Sequence, residues 1–296
     1  MCRNAHVHDV YNRRFTSVKI SFITPRAELQ PYIQSFWVLE SLMGLPAAAD
    51  SIAAPNGCAK LIIPCENSIV SVANGQLQIS HPQRIYFVGN RDSATHIRSS
   101  AQKTSFIAIE FRPQGAFQFF GVPMSETSNR LCESDAVFGQ WSRALREELN
   151  GLERMDQKVA HIQDRLTVAL RKHRRNAGLV DYCVAALRSA DGRMPIRALE
   201  QQTGYSRRYL DRLFQQHVGL SPKVLAEIFR FQRFYRKWAD GLSFDLVKTE
   251  LYDHYYDQAH FTREFRRMTG HPPQRFVCDV ANEFGRRLVR QQTSAR

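Results

Sequence analysis

The chain predicts two domains of unlike class. The first is an antiparallel β-barrel or sandwich with closing helices, the second an all-α domain of two similar helical units joined by a linker helix. Three observations predict it: short apolar runs between turn residues in the first third, a switch to helical apolar spacing, and a stretch that repeats itself at a fixed offset near the end. With 296 residues, 43% of them hydrophobic, the chain can build two cores at ~100–200 residues per domain. The expected layout is a tail over 1–19, the β domain over 20–170, a linker over 171–178, the helical domain over 179–280 and a second tail over 281–296.

Met1 to Val10 is polar and lacks the apolar core of a leader. No run approaches the ~18 apolar residues of a bilayer span. The expected location is the cytoplasm, with no membrane partner. In the first domain, Ile33–Leu39, Ala59–Ile63, Ser68–Val72, Arg84–Val88 and Ser105–Phe111 read as strands. Pro55-Asn56-Gly57, Asn74-Gly75, His81-Pro82 and Gly89-Asn90 supply the turns between them. From Gln114 the period changes. Ala116, Phe117, Phe119 and Phe120, then Leu145, Leu149 and Leu152, then Val159, Ile162, Leu166 and Leu170, fit helices that close this domain. Arg171-Lys172-His173-Arg174-Arg175-Asn176 is a charge run without an apolar residue, which places the linker. From Leu179 onward the pattern is helical, broken at Asp191-Gly192, Gly204, Gly219, Asp240-Gly241 and Gly270.

Charge follows the same division. Residues 171–296 hold 24 of the 41 Lys and Arg but only 13 of the 28 Asp and Glu, so +11 of the formal +13 lies there. A basic block on an otherwise balanced chain suits a polyanion-binding domain attached to something else.

The repeat is sharper. A shift of 51 residues places Arg212 on Arg263, Phe214 on Phe265, Gly219 on Gly270 and Pro222 on Pro273, with Leu210 on Phe261 and Leu225 on Phe276. Each copy reads as a helix ended by Gly, a turn, and Pro opening the next helix. In the first copy, Pro195 to Gln202 leads through Thr203-Gly204-Tyr205 to Ser206, an N-cap for Arg207–Gln216. A short helix, a Gly-containing turn and a second helix make a helix-turn-helix. Tyr209, Leu210, Leu213 and Phe214 form the inward stripe; Arg207, Arg208, Asp211, Arg212, Gln215 and Gln216 face out. In the second copy Asp257 is the cap, Phe261, Phe265 and Met268 point inward, and Gln258, His260, Thr262, Arg263, Arg266 and Arg267 point out. Pro222 to Ala239 joins the copies, with Lys223 and Arg230 as cations within reach of phosphates. Its length is ~27 Å at 1.5 Å per residue. With helix widths added, that approaches the ~34 Å turn of B-DNA, so two helices could enter successive major grooves. Arg forks match guanine and phosphate, and Gln matches adenine. A charged helix face alone is often only a solvated surface; duplication, spacing and charge together favour DNA.

At Gly204-Tyr205-Ser206, Leu210, Leu213-Phe214 and Gly219-Leu220-Ser221-Pro222, and again at Tyr256-Asp257-Gln258-Ala259-His260-Phe261-Thr262-Arg263-Glu264-Phe265-Arg266 and Gly270-His271-Pro272-Pro273, the chain resembles the AraC/XylS family of transcription regulators. The resemblance covers about Leu179 to Phe276 and implies two helix-turn-helix units and promoter control. Thr249, Glu250, Asp253 and His254 depart from the family's Ile, Ala and Gly pattern, within a poorly amphipathic helix Asp245–Asp253. The second unit is therefore expected to contact mostly phosphates. Pro55 to Ile63, with Asn56 where these regulators usually have Asp, and Phe111 to Ala116 followed by Phe119 to Pro123, resemble their small-barrel, cupin-like sensor domains. This implies ligand sensing or dimerisation.

The resulting expectation is a sequence-specific regulator of double-stranded promoter DNA, tuned through its first domain by a small-molecule effector or by homodimer formation. The alternative is a cupin-like enzyme or metal sensor fused to a DNA-binding domain. Trp37, Arg91, Glu110 and Arg112 are the ligand-binding candidates, because aromatic and charged side chains at strand positions can line a barrel mouth. No catalytic residue, metal site or cofactor is expected. His6 and His8 lack a third ligand at metal spacing, and His81 and His96 sit near turns. The six cysteines (Cys2, Cys58, Cys65, Cys132, Cys183, Cys278) form no C-x-x-C and fit reduced thiols. Phosphate-loop, H-E-x-x-H and G-x-S-x-G motifs are absent.

Overall fold

The computed structural model describes residues 18–45, 51–173, 177–241, 258–273, 275–276 and 285–286. The His6–His8 pair, Asp257, the helix expected over 245–253 and most of the C-terminal tail lie outside the described residues.

The strands are β1 (Val18–Ile23), β2 (Ile33–Ser41), β3 (Ile52–Ala53), β4 (Lys60–Glu66), β5 (Ile69–Ala73), β6 (Gln76–Ser80), β7 (Tyr86–Val88), β8 (Thr95–Ser99), β9 (Thr104–Phe111) and β10 (Leu131–Glu133). They form two antiparallel sheets, one of six strands ordered β1-β2-β9-β4-β7-β10 and one of four ordered β3-β8-β5-β6. Of the two expected forms, barrel or sandwich, the described strands form a two-sheet sandwich and no closed ring. β6 had no apolar run to announce it; it forms because Asn74-Gly75 turns the chain back on β5, pairing Ala73 with Gln76.

The six-stranded sheet is covered on both faces. Every residue of β9 is buried, its side chains alternating between two cores. Phe106 and Ala108 join Trp37, Leu39 and Ile69 between the sheets. Ile107, Ile109 and Phe111 face helices α1 (Gly115–Phe120), α3 (Gln140–Asn150) and α4 (Met155–His173), meeting Phe117, Leu145 and Ile162. α2 (Ser134–Phe138) lies just before α3. A strand buried on both faces favours a continuous apolar run, here Phe106–Ile109, which is why this one was legible. α4 extends through His173, so the expected linker begins inside a helix.

The second domain contains α5 (Gly178–Ser189), α6 (Ile196–Thr203), α7 (Arg207–His217), α8 (Pro222–Ala239) and α9 (Gln258–Thr269). Ser221 caps α8, accepting from the Val224 amide at 3.3 Å, with Pro222 in the first turn. α8 is the core of the domain. Its Leu225, Ile228, Phe231, Phe234 and Trp238 are buried among residues of α5, α7 and α9, each worth roughly 1.5–3 kcal/mol on burial. The two units therefore share one apolar core around a single rod.

Candidate nucleic-acid interface

In the first unit, α6 ends at Thr203 and the three residues Gly204–Ser206 lead to α7. Ser206 caps α7, its Oγ accepting from the Tyr209 amide at 3.4 Å. Glu200 on α6 accepts from the Arg207 amide at 2.6 Å, tying the first helix to the opening turn of the second. Leu210 and Phe214 are buried, and Leu213 is half-buried. Arg207, Arg208, Arg212, Gln215 and Gln216 are exposed, and Asp211 lies 3.8 Å from Arg207 Nε. Tyr205 and Tyr209 were missed as contributors to this face. Their rings stack at 4.7 Å and the Arg212 guanidinium lies 5.3 Å from the Tyr209 ring centre. That contact restrains a long side chain before any phosphate or base meets it. The only sequence signal was the spacing of four between the tyrosines.

In the second unit Phe261, Phe265 and Met268 are buried, while Arg263 and Arg266 are exposed one turn apart. His260 and Thr262 are half-buried. Gln258 opens the helix; its side chain, like Asp257, lies outside the described residues. Two cations expected at the DNA face are held in ion pairs. Arg267 donates to Glu227 of α8 at 2.5 Å. Arg230, placed at the phosphates by sequence reasoning, donates to both carboxylate oxygens of Glu264, at 3.0 and 3.3 Å, and is only 15% exposed. The crossing of α8 and α9 covers Arg230, whereas Arg267 at its edge keeps about a third of its side chain exposed. Lys223 remains exposed, its Nζ 4.0 Å from Glu227.

Both reading helices touch the first domain at their C-terminal ends. Asn90 Nδ2 donates to the Val218 carbonyl at 2.7 Å, Ser128 Oγ donates to that of Gly219 at 2.6 Å, and Phe117 packs on His217 with ring centres 4.1 Å apart. At α9 the Ala94 amide donates to the Arg267 carbonyl at 3.2 Å, and His96 meets His271. The repeat-related glycines, Gly219 (φ +81°) and Gly270 (φ +79°), both sit at this junction; a Cβ on Gly219 would come 2.2 Å from Ser128 Oγ. The N-terminal halves, which reach base edges in helix-turn-helix proteins, lie at the other end of each helix. Their aligned amides add positive potential there.

The four ligand candidates separate. Trp37 and Arg91 line a cavity of about 110 Å³ between the sheets. Glu110 is buried and accepts from Asn56 Nδ2, outside the cavity wall. Arg112 also lies outside it, donating to the Gln30 carbonyl at 2.7 Å. Lys60, Ser71 and Cys58 line the wall and were missed. Their signal was the pleat: sequence gives alternate residues on a strand, not which sheet faces the void. Burial, with Glu110 nearby, pushes the Cys58 thiol up to about 12, so it stays protonated and unreactive at neutral pH. Among the described residues no three His, Cys, Asp or Glu side chains gather as a metal site, and no helix is long and apolar enough to cross a membrane.

Two basic reading helices on one shared rod, joined to a β sandwich, define a DNA-binding transcription regulator. Residues 199–277 match the family model of a helix-turn-helix domain, and residues 21–133 that of a domain of unknown function (DUF6597). Residues 199–277 are therefore a helix-turn-helix domain, and the chain is a DNA-binding protein of helix-turn-helix type. No curated protein sequence matches the chain. Among solved structures, ToxT from Vibrio cholerae is 10% identical, covers 90% of this chain and 99% of its own, and has a TM-score of 0.46. A cupin domain of an XRE family transcriptional regulator from Enterobacter cloacae is 13% identical over 32% of this chain and 95% of its own, with a TM-score of 0.26. A cupin superfamily protein from Desulfitobacterium hafniense is 12% identical over 32% and 77%, also at 0.26.

Proposed function

We propose that the chain is a cytoplasmic, sequence-specific regulator of double-stranded promoter DNA. In this reading residues 179–280 hold the DNA and residues 20–170 tune that grip, through a small molecule or through pairing of two subunits. Residues 171–178 link the two domains, 1–19 and 281–296 are tails, and the protein catalyses no reaction. The observation that supports it best is the exposed set Arg207, Arg208, Arg212, Gln215 and Gln216 on α7, with Arg263 and Arg266 on α9. Ser206, Asp211, Asp257, Gln258, His260 and Thr262 complete the proposed interface, with Lys223 at the phosphates. Arg230 and Arg267 are assigned to holding α8 and α9 together.

Fluorescence anisotropy on a labelled duplex over a salt series tests this. With Arg207, Arg208, Lys223, Arg263 and Arg266 at phosphates, log K should fall against log salt with a slope of about −4.5, because each neutralised phosphate releases counterions. A flat response would overturn the assignment. Arg212→Ala should cost about 1–3 kcal/mol and relax preference at one base position. Arg263→Ala should instead weaken all duplexes alike and lower the slope by about 1, as for a phosphate contact. A loss confined to one base position would contradict the phosphate role of the second unit.

A further inference from the structure

Both charged residues on the wall of the inter-sheet cavity, Lys60 and Arg91, are cations, and no described carboxylate lies on that wall. Lys60 is already engaged: its Nζ donates to Asn56 Oδ1 at 3.0 Å and to the Cys58 carbonyl at 2.9 Å. Arg91 is different. It is 9% exposed, makes no ion pair among the described residues, and its one hydrogen bond among them is a long donation from Nη1 to the Asn129 carbonyl, 3.3 Å. Its Nε has no acceptor among the described residues. Desolvation lowers its pKa, with Asp92 opposing. Trp37 Nε1 and Ser71 Oγ, both more than nine-tenths buried on the same wall, also lack partners among the described residues. A buried cation without a counter-ion and two buried polar atoms without a partner among the described residues are costly unless something completes them. The rest of the wall is apolar, including Ile62, Ile69, Ile97 and Phe106. Its volume is on the order of the ~150 Å³ apolar cavity that accepts one benzene ring.

The wall is also the domain junction. Pro55, on the wall, accepts from Gln232 Nε2 of α8 at 2.7 Å. Arg91 is flanked by Asn90, which donates to the end of α7, and the same loop reaches Ala94, which donates to α9. A ligand that draws in Arg91 therefore moves the loop that holds both reading helices.

We propose that this cavity binds a small organic anion with an apolar body about one ring in size, its acid group at Arg91 and its body against Trp37 and Phe106, and that segments 53–58 and 89–95 carry its occupancy to both helix-turn-helix units. The proposal rests on the reading that the first domain tunes DNA binding.

The test uses the full chain, benzoate, its neutral counterpart benzamide, and a labelled duplex. Calorimetry should show benzoate binding about tenfold or more tighter than benzamide, the fold-change of one charge-assisted bond. Arg91→Met should remove that preference and leave benzamide within about twofold. Saturating benzoate should shift duplex affinity by about threefold or more, and Asn90→Ala, which leaves the cavity wall intact, should shift it without ligand. No benzoate binding at millimolar concentration, equal affinity for the two probes, or an Arg91→Met chain that keeps its preference would overturn the site. The comparison of two probes on the unaltered chain holds even if that variant fails to fold. Benzoate that binds without altering duplex affinity, while Asn90→Ala alters it, would overturn the coupling alone. If benzoate binds and neither it nor Asn90→Ala changes duplex affinity, the site stands and the tuning role of the first domain falls.

Discussion

Gly192→Ala should destabilise the DNA-binding domain by about 4 kcal/mol, the sum of a left-handed backbone penalty and an overpacking penalty. Gly192 has φ +71° in the turn after α5 and lies directly against the rod α8. A Cβ there would come 2.0 Å from the Ala226 carbonyl oxygen and 2.8 Å from the Arg230 amide nitrogen, both backbone atoms that cannot swing aside. The turn is pinned from three sides. The Gly192 amide donates to the Leu187 carbonyl at 2.8 Å, that of Asp191 to the Arg188 carbonyl at 2.9 Å, and the Asp191 carboxylate pairs with Arg233 of α8. Relief thus requires α5 and α8 to part, opening the apolar core that both units share. Urea melts of the full chain, followed by far-ultraviolet circular dichroism, measure the loss. A change below about 1 kcal/mol, the ordinary cost of a tolerated surface substitution or less, would contradict the close approach.

Arg230→Met should cost about 3 kcal/mol, because it strands the Glu264 carboxylate in the α8–α9 contact without its guanidinium. The pair is desolvated on both sides, so solvent screening does little to soften the loss. Arg230→Met with Glu264→Leu should recover most of the stability, since an apolar pair of similar volume replaces a buried ion pair at little net cost. The same variant separates structure from DNA contact. If Arg230 only joins α8 to α9, the slope of log K against log salt for the folded double variant stays that of the parent chain. A slope reduced by about 1, with stability unchanged, would return Arg230 to the phosphates.

Local patterns made much of this molecule legible. Phe36 and Val38 alternate with Trp37 and Leu39 along β2, and the two sets fall in different cores as the pleat demands. The spacing of Phe261, Phe265 and Met268 placed one face of α9 inward, and the repeat placed Gly219 and Gly270 at equivalent helix ends. Short polar strands such as β6 and β8 were not legible. Gln76–Ser80 and Thr95–Ser99 carry little apolar signal and owe their form to neighbours. The interface separated in the same way. Arg207, Arg208 and Arg212 are exposed as helical period requires, whereas Arg230 and Arg267, on equally polar faces, are drawn into ion pairs.

By itself the amino-acid order determined the division into a β domain and a basic helical domain, the duplicated helical unit, its caps and glycines, and thus the class of partner. Each of these is written in neighbouring residues, because helical and pleated periods, capping and turn geometry act over a few positions. The tertiary structure alone decided which cations are exposed and which are held in ion pairs, that Arg91 and Trp37 share one void while Glu110 and Arg112 stand outside it, and that the first domain contacts the C-terminal ends of α7 and α9. Those outcomes depend on contacts between residues such as Asn90 and Val218, or Ala94 and Arg267, far apart in sequence, and no local period encodes which distant surface will cover a given face.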